Sequence, residues 1–145
     1  MLRRFTLWAY DTYLRTKYRE RVPRDLFDLE IPADVELRYG AKELEKASKK
    51  LSKHIRHRGR GVFIAPMGAC ARTVLVHPDI ITPEWRGHRN HILSHELGHV
   101  EQFRRWGPIT TLVLCRIGCK LFGYEHCPVE REAWRLSEDI GRKAA

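Results

Sequence analysis

The apolar residues near the start of the chain recur at the spacing of a helix. Leu2, Phe5, Trp8 and Leu14 lie close to one helical face, which predicts a helix from residue 2 to about residue 19.

The following forty residues predict a connector, a strand and a second helix. Two prolines interrupt residues 21–34, which favours a connector across the surface. Apolar and charged residues alternate from Val35 to Tyr39, as in a half-buried strand. Residues 41–55 are rich in Lys, Glu, Ala and Leu and predict a helix, and residues 54–60 predict a charged loop.

Two short β-rich runs come next. They are Val62–Ile64 and Thr73–Val76, and the turn-forming residues Pro66–Ala69 lie between them. This arrangement predicts an antiparallel hairpin with its turn near Pro66.

Helical patterns dominate the rest of the chain. A long one ends near Trp106, where Gly-Pro follows as a stop signal. Residues 109–122 predict an apolar helix, for which we favour packing in the core over contact with a membrane. A last helix is expected from Pro128 to Gly141. The predicted fold class is α+β, a small antiparallel sheet or hairpin with several helices packed on it. We expect one domain over residues 1–145.

One of these helical patterns contains the sequence His95-Glu96-x-x-His99. Residues four apart lie on one face of a helix, so both imidazoles can bind a single ion, for which zinc is the best candidate. Glu96 lies 100° around the helix from His95 and can reach a water molecule on that ion without binding the ion itself. Glu96 is therefore the predicted general base for a metal-activated water.

Two histidines leave the ion short of one protein ligand, which a downstream helix can supply. Glu130 and Glu132 are two residues apart and lie on different helical faces, so only one of them can face the ion. Ala133 shares the face of Glu130, where its small side chain lets the helix approach the histidines closely. We therefore predict Glu130 as the third ligand and assign Glu132 to a surface or supporting contact.

Together, His95-Glu96-x-x-His99 and Glu130-x-x-Ala133 resemble the motifs of gluzincins, a class of zinc metallopeptidases. The surrounding sequence is similar to small bacterial metallopeptidases, including the minigluzincins and the core metallopeptidase domain associated with contractile injection systems. The resemblance covers about residues 62–140. It implies a zincin-like fold with one zinc ion and Glu96 as the base, and an edge strand at Thr73–Val76 that pairs with an extended peptide substrate.

Other residues leave alternatives open. Tyr124, His126 and His91 are candidates for stabilising an oxyanion, and the sequence does not choose among them. A second hypothesis is a structural zinc site in which the protein supplies all four ligands. Its ligands would be four residues that are close in the sequence: Cys115, Cys119, His126 and Cys127. A faint resemblance of Gly68-Ala-Cys70 to peptide deformylases would instead make Cys70 the third ligand.

Charge adds a competing hypothesis for the basic first part of the chain. The net charge is +9, of which residues 1–60 carry +7 and residues 61–145 carry +2. This asymmetry favours binding of nucleic acid or an acidic protein. The alternative to a peptidase is therefore a basic binding module whose metal site is catalytically inactive or structural. We recognise no signal peptide or transmembrane helix, so we expect a cytoplasmic protein with reduced cysteines that acts on a peptide or protein substrate.

Overall fold

The computed structural model describes residues 1–52 and 66–144 and has an α+β architecture. Three short 3₁₀ turns connect the longer elements. The helices and strands, in chain order, are α1 (Leu2–Lys17), β1 (Glu36–Tyr39), α2 (Ala41–Ser52), β2 (Met67–Cys70), β3 (Thr73–Val76), α3 (Arg89–Trp106), α4 (Pro108–Phe122) and α5 (Pro128–Ala144).

The three strands form a mixed sheet in the order β1–β3–β2. β2 and β3 pair antiparallel, whereas β1 pairs parallel with β3, so the prediction of a purely antiparallel sheet was wrong. Two parallel strands need a long connection between them, and here α2 and β2 lie between β1 and β3 in the sequence.

The hairpin differs from the sequence-based prediction in its first strand. Residues 67–69, expected in the turn, belong to β2, and the chain reverses at Ala71 and Arg72 instead. Ala71 is fully buried and has a φ of 55°. The expected strand Val62–Ile64 lies outside the described residues. β3 is central in the sheet, so the prediction that it forms an edge strand was also wrong.

Helix α1 forms close to the predicted bounds, but of the four apolar residues that indicated it only Leu14 is buried. Leu7, Asp11 and Leu14 are buried, whereas Phe5 and Trp8 are 60% and 58% exposed. A charged side chain sets this orientation. The Asp11 carboxylate accepts hydrogen bonds from the backbone N–H of Arg72 at 2.9 Å, from its Nε at 2.8 Å and from the hydroxyl of Thr73 at 3.0 Å, which fixes α1 against the β2–β3 turn.

The prediction that the apolar α4 packs in the core was wrong. The helix packs through a narrow strip that contains Pro108, Thr111 and Gly118. The large apolar side chains that remain at least 40% exposed on α4 are Ile109, Leu112, Val113, Leu114, Ile117, Leu121 and Phe122. Among the described residues, no helix combines the length and apolar character needed to cross a membrane.

Helix α3 is the central helix and packs between the sheet and α5. Its apolar residues Leu93, Leu97 and Val100 join Val74 and Val76 of β3 in the main hydrophobic core. On its other side α3 has Gly98, and a methyl group there would lie 2.5 Å from the carbonyl oxygen of Ala133 in α5. The two helices are therefore nearly in backbone contact. α5 begins at Pro128 as predicted but continues past Gly141.

Candidate metal centre

Helix α3 presents two imidazoles on one face. His95 and His99 are one helical turn apart, and their ring centroids lie 4.7 Å from each other. His95 is 4% exposed, because the indole of Trp134 stacks on its ring at a centroid distance of 4.0 Å and an interplanar angle of 28°. Both rings therefore lie within the protein, in positions fixed by their surroundings.

Helix α5 adds a carboxylate to the same point. The Oε2 atom of Glu130 lies 3.0 Å from Nε2 of His95 and 3.2 Å from Nε2 of His99. The ligand atoms of these three residues all lie within 4.8 Å of one another, so one metal ion can contact all three. The close approach of Gly98 to Ala133 makes this possible, because Ala133 is one turn beyond Glu130 on α5.

Glu132 lies on another face of α5, away from the two imidazoles. Its Oε2 accepts a hydrogen bond from the side-chain amide of Gln102 at 3.3 Å, and its Oε1 lies 3.9 Å from Arg105. Glu132 therefore has the supporting role that its position in the sequence predicted.

The charges of the three side chains favour a positive charge at the centre of the cluster. Burial opposes the charge of Glu130, but hydrogen bonds from both histidines outweigh it and lower its pKa to about 2. Burial likewise opposes the charge of His99, yet the hydrogen bond with Glu130 raises its pKa to about 9. The carboxylate thus attracts a positive charge to the point where the three side chains meet, and a divalent cation can supply that charge.

Glu96 occupies the predicted position beside the histidines and is held by the sheet. Its Oε2 accepts a hydrogen bond of 2.8 Å from the backbone N–H of Ala69 in β2. Burial raises the pKa of Glu96, while the neighbouring His99 and His95 lower it in part. A buried carboxyl group with a raised pKa is a stronger base than an exposed one.

Gln102 orients His99, and the sequence analysis did not identify it. This fully buried amide has its oxygen 2.9 Å from Nδ1 of His99, and its nitrogen donates to the carbonyl oxygen of Val129 at 2.8 Å. In the neutral imidazole this contact favours the tautomer with the proton on Nδ1, so that a metal ion can take the place of the proton that Nε2 shares with Glu130. Gln102 lies three residues after His99, so helical spacing could have identified it.

His95 has a different environment. Its Nδ1 is buried and has no hydrogen-bond partner among the described residues. Stacking on Trp134 takes the place of a hydrogen bond in orienting this ring. Trp134 lies one turn after Glu130, so helical spacing could have placed it at the site as well.

The cluster opens into a cavity of about 580 Å³. His95, Glu96, His99 and Glu130 all line it, so the candidate base and the candidate ligands are accessible from one space. Its walls are mostly apolar and come from several elements: Leu44 in α2, Met67 in β2, Trp85 before α3, Leu112 in α4 and Trp134 in α5.

The three candidates for oxyanion stabilisation have different surroundings. Tyr124 lines the cavity, and burial together with the charges of Glu130 and Glu96 raises its pKa, so that its hydroxyl stays protonated and can donate. His91 is exposed and packs on Trp134 at a centroid distance of 4.9 Å, and His126 is exposed. Tyr124 is therefore the candidate that the geometry favours.

The cysteines form a second cluster without His126. The sulfurs of Cys115, Cys119 and Cys127 lie within 4.8 Å of one another. Burial raises the pKa of Cys119 to about 12 and that of Cys115 further, so that both are neutral thiols at neutral pH. Cys70 packs on the opposite side of β2, against the Leu14–Leu44–Leu75 cluster, and is not the third ligand of the histidines.

The chain matches no model of a known protein family, no curated protein and no solved structure. The likeness to gluzincins therefore depends on the two short motifs. Their side chains, 31 residues apart in the sequence, meet in the structure at one buried point.

Proposed function

We propose that this chain is a zinc-dependent peptidase, in which His95, His99 and Glu130 hold one zinc ion and Glu96 is the general base. The observation that carries the proposal is the convergence of two imidazole nitrogens and one carboxylate oxygen in the wall of a cavity. Two nitrogens and one oxygen are common zinc ligands in enzymes, and three protein ligands leave a position open for water or substrate.

When bound, zinc supplies a Lewis acid that lowers the pKa of water and polarises a carbonyl group. The side chains of the protein do the remaining work. Glu96 accepts the proton of the attacking water and returns it to the leaving amine, while the N–H of Ala69 restricts the rotation of its carboxylate. Tyr124 can donate a hydrogen bond to the oxyanion from the cavity wall.

A peptide is the substrate that best fits the surroundings of the site. β2 has β3 on one side and no strand on its other side among the described residues, so this edge, apart from the Ala69 N–H that Glu96 occupies, can pair with an extended peptide. Because Ala69 of β2 also contacts Glu96, a peptide on this edge would pass next to the base. The edge strand that the resemblance implied at Thr73–Val76 is therefore replaced in this proposal by β2.

The test is hydrolysis of a quenched fluorescent peptide library by the zinc-loaded protein. We expect Glu96→Gln to abolish turnover while the protein keeps its zinc, and His99→Ala to lose both. Glu101→Gln on α3 and His88→Ala at its start are matched controls, because both residues are outside the cavity and both variants should remain active. Full activity of Glu96→Gln would contradict the proposed mechanism.

The alternative, a basic module that binds nucleic acid or an acidic protein, has weaker support in the structure. Three arginines of the basic part lie around the carboxylate of Glu36, and Lys17 lies 2.8 Å from Glu43. Several cations of this region therefore already have partners within the chain. Salt-sensitive binding that a metal chelator leaves unchanged would favour this alternative.

A further inference from the structure

We propose that Cys115, Cys119 and Cys127 form a second metal site, separate from the histidine site, which binds one Cu⁺ ion through three sulfur atoms. Two of the thiols are one turn apart on α4, and the third comes from the residue that precedes α5. Their sulfur atoms all lie within 4.8 Å of one another, a separation that one ion can span.

The backbone of α4 makes room for the third sulfur. A methyl group at Gly118 would lie 2.7 Å from Sγ of Cys127, so any larger residue there would push this thiol away. Cys127 is fully buried, and its Sγ lies 3.8 Å from the carbonyl oxygen of Cys115. The sequence thus places Cys115 and Cys119 at helical spacing, with Gly118 between them to make room for the thiol of Cys127. Packing of apolar side chains alone does not require this combination.

The donor set determines which ion fits. Binding of the ion releases the thiol protons to solvent, and the thiolates that form are soft ligands that favour Cu⁺ and Zn²⁺ over the harder divalent cations. Structural zinc sites are almost always four-coordinate, whereas the cluster among the described residues consists of three sulfurs, and the nearest carboxylate, that of Glu130, directs its Oε2 to the two histidines. Cu⁺ accepts three sulfurs in a plane, so it is the better match.

The two sites are neighbours with separate ligands. Sγ of Cys115 lies 3.9 Å from Oε1 of Glu130, whereas Oε2 of the same carboxylate faces the two histidines. Loss of the histidines should therefore leave the thiol site intact.

The test is an anaerobic titration of the reduced full chain with Cu⁺, in competition with the chromophoric chelator bicinchoninate. Wild type should remove one Cu⁺ per chain from the chelator. Cys119→Ser should weaken binding by more than about 100-fold, since even residues that only support a ligand account for roughly 10- to 100-fold. Cys70→Ser is the matched control and should bind like wild type, because Cys70 is outside the cluster.

Two further measurements establish that the variant is folded and that the bound Cu⁺ is not at the histidine site. Circular dichroism should show that Cys119→Ser keeps the helical content of the wild type. His99→Ala should still take up one Cu⁺ with unchanged affinity, which separates this site from the proposed zinc centre whatever the outcome of the peptidase assay. The proposal is overturned if wild type binds no stoichiometric Cu⁺, if folded Cys119→Ser binds as tightly as wild type, or if Cys70→Ser or His99→Ala is equally impaired.

Discussion

Replacing Gly98 with alanine tests the contact that brings the two halves of the metal centre together. The new methyl group would lie 2.5 Å from the carbonyl oxygen of Ala133, so α5 must move by about 0.5 Å or more to restore a separation of 3.0 Å. Metal ligands tolerate displacements of only about 0.2 Å. We therefore expect zinc affinity to fall by at least about tenfold, because Glu130 moves away from the histidines together with its helix.

The effect of this substitution on stability has two opposing parts. Alanine is favoured over glycine inside a helix by about 1 kcal/mol, whereas overpacking costs about 1–3 kcal/mol. The metal-free Gly98→Ala variant should thus be less stable than wild type by about 0–2 kcal/mol. Gly141→Ala is the matched control in α5, where nothing lies within 4 Å of the new methyl group, and it should gain about 0.5–1 kcal/mol.

Urea denaturation with and without zinc, together with competition against a chromophoric chelator, measures both effects. The reasoning is refuted if Gly98→Ala gains as much stability as Gly141→Ala and binds zinc with wild-type affinity. That result would mean that α3 and α5 are farther apart than the structure shows.

Two further substitutions test the support of the site and of the sheet. Gln102→Leu leaves Nδ1 of His99 and the carbonyl of Val129 without hydrogen-bond partners. We therefore expect urea denaturation to show a loss of about 1–3 kcal/mol in stability, and chelator competition to show roughly 10- to 100-fold weaker zinc binding. Unchanged zinc affinity would contradict the orienting role of this amide. Burial opposes the charge of Glu36, but the hydrogen bonds from Arg38 outweigh it and lower the pKa of Glu36 below 4.5. The pair therefore stabilises the fold above pH 4.5, and this stabilisation is lost as the pH falls through the lowered pKa. Glu36→Gln should therefore cost about 1 kcal/mol at pH 7 and progressively less below pH 4.5 in thermal melts, whereas a difference that grows in acid would show that the sign is wrong.

The convergence of His95, His99 and Glu130 could be predicted from the sequence, because local rules determine most of it. Helical spacing aligns His95 with His99, and the two-residue offset between Glu130 and Glu132 allows only one of them to face the histidines. The same rules located the start of α5 at Pro128, where proline occupies the first helical turn, whereas α4 starts at Pro108, one residue before the predicted Ile109.

Long-range packing determined the parts that the sequence did not predict. Met67–Cys70 lacks β-branched residues and becomes a strand only through its pairing with β3. The buried face of α1 depends on Asp11 meeting Arg72, 61 residues away. α4 is apolar on nearly all sides, so its pattern contained no indication of which side would face the core.

The proposed peptidase depends on one zinc ion held by two histidines and one glutamate from separate helices. Crystals of the zinc-loaded protein can locate this ion in an anomalous difference map measured at the zinc absorption edge. We expect a peak about 2.0–2.2 Å from Nε2 of His95, Nε2 of His99 and Oε2 of Glu130. A map without a peak at this position, or with Glu130 turned away from the ion, would show that these three side chains do not form the zinc site.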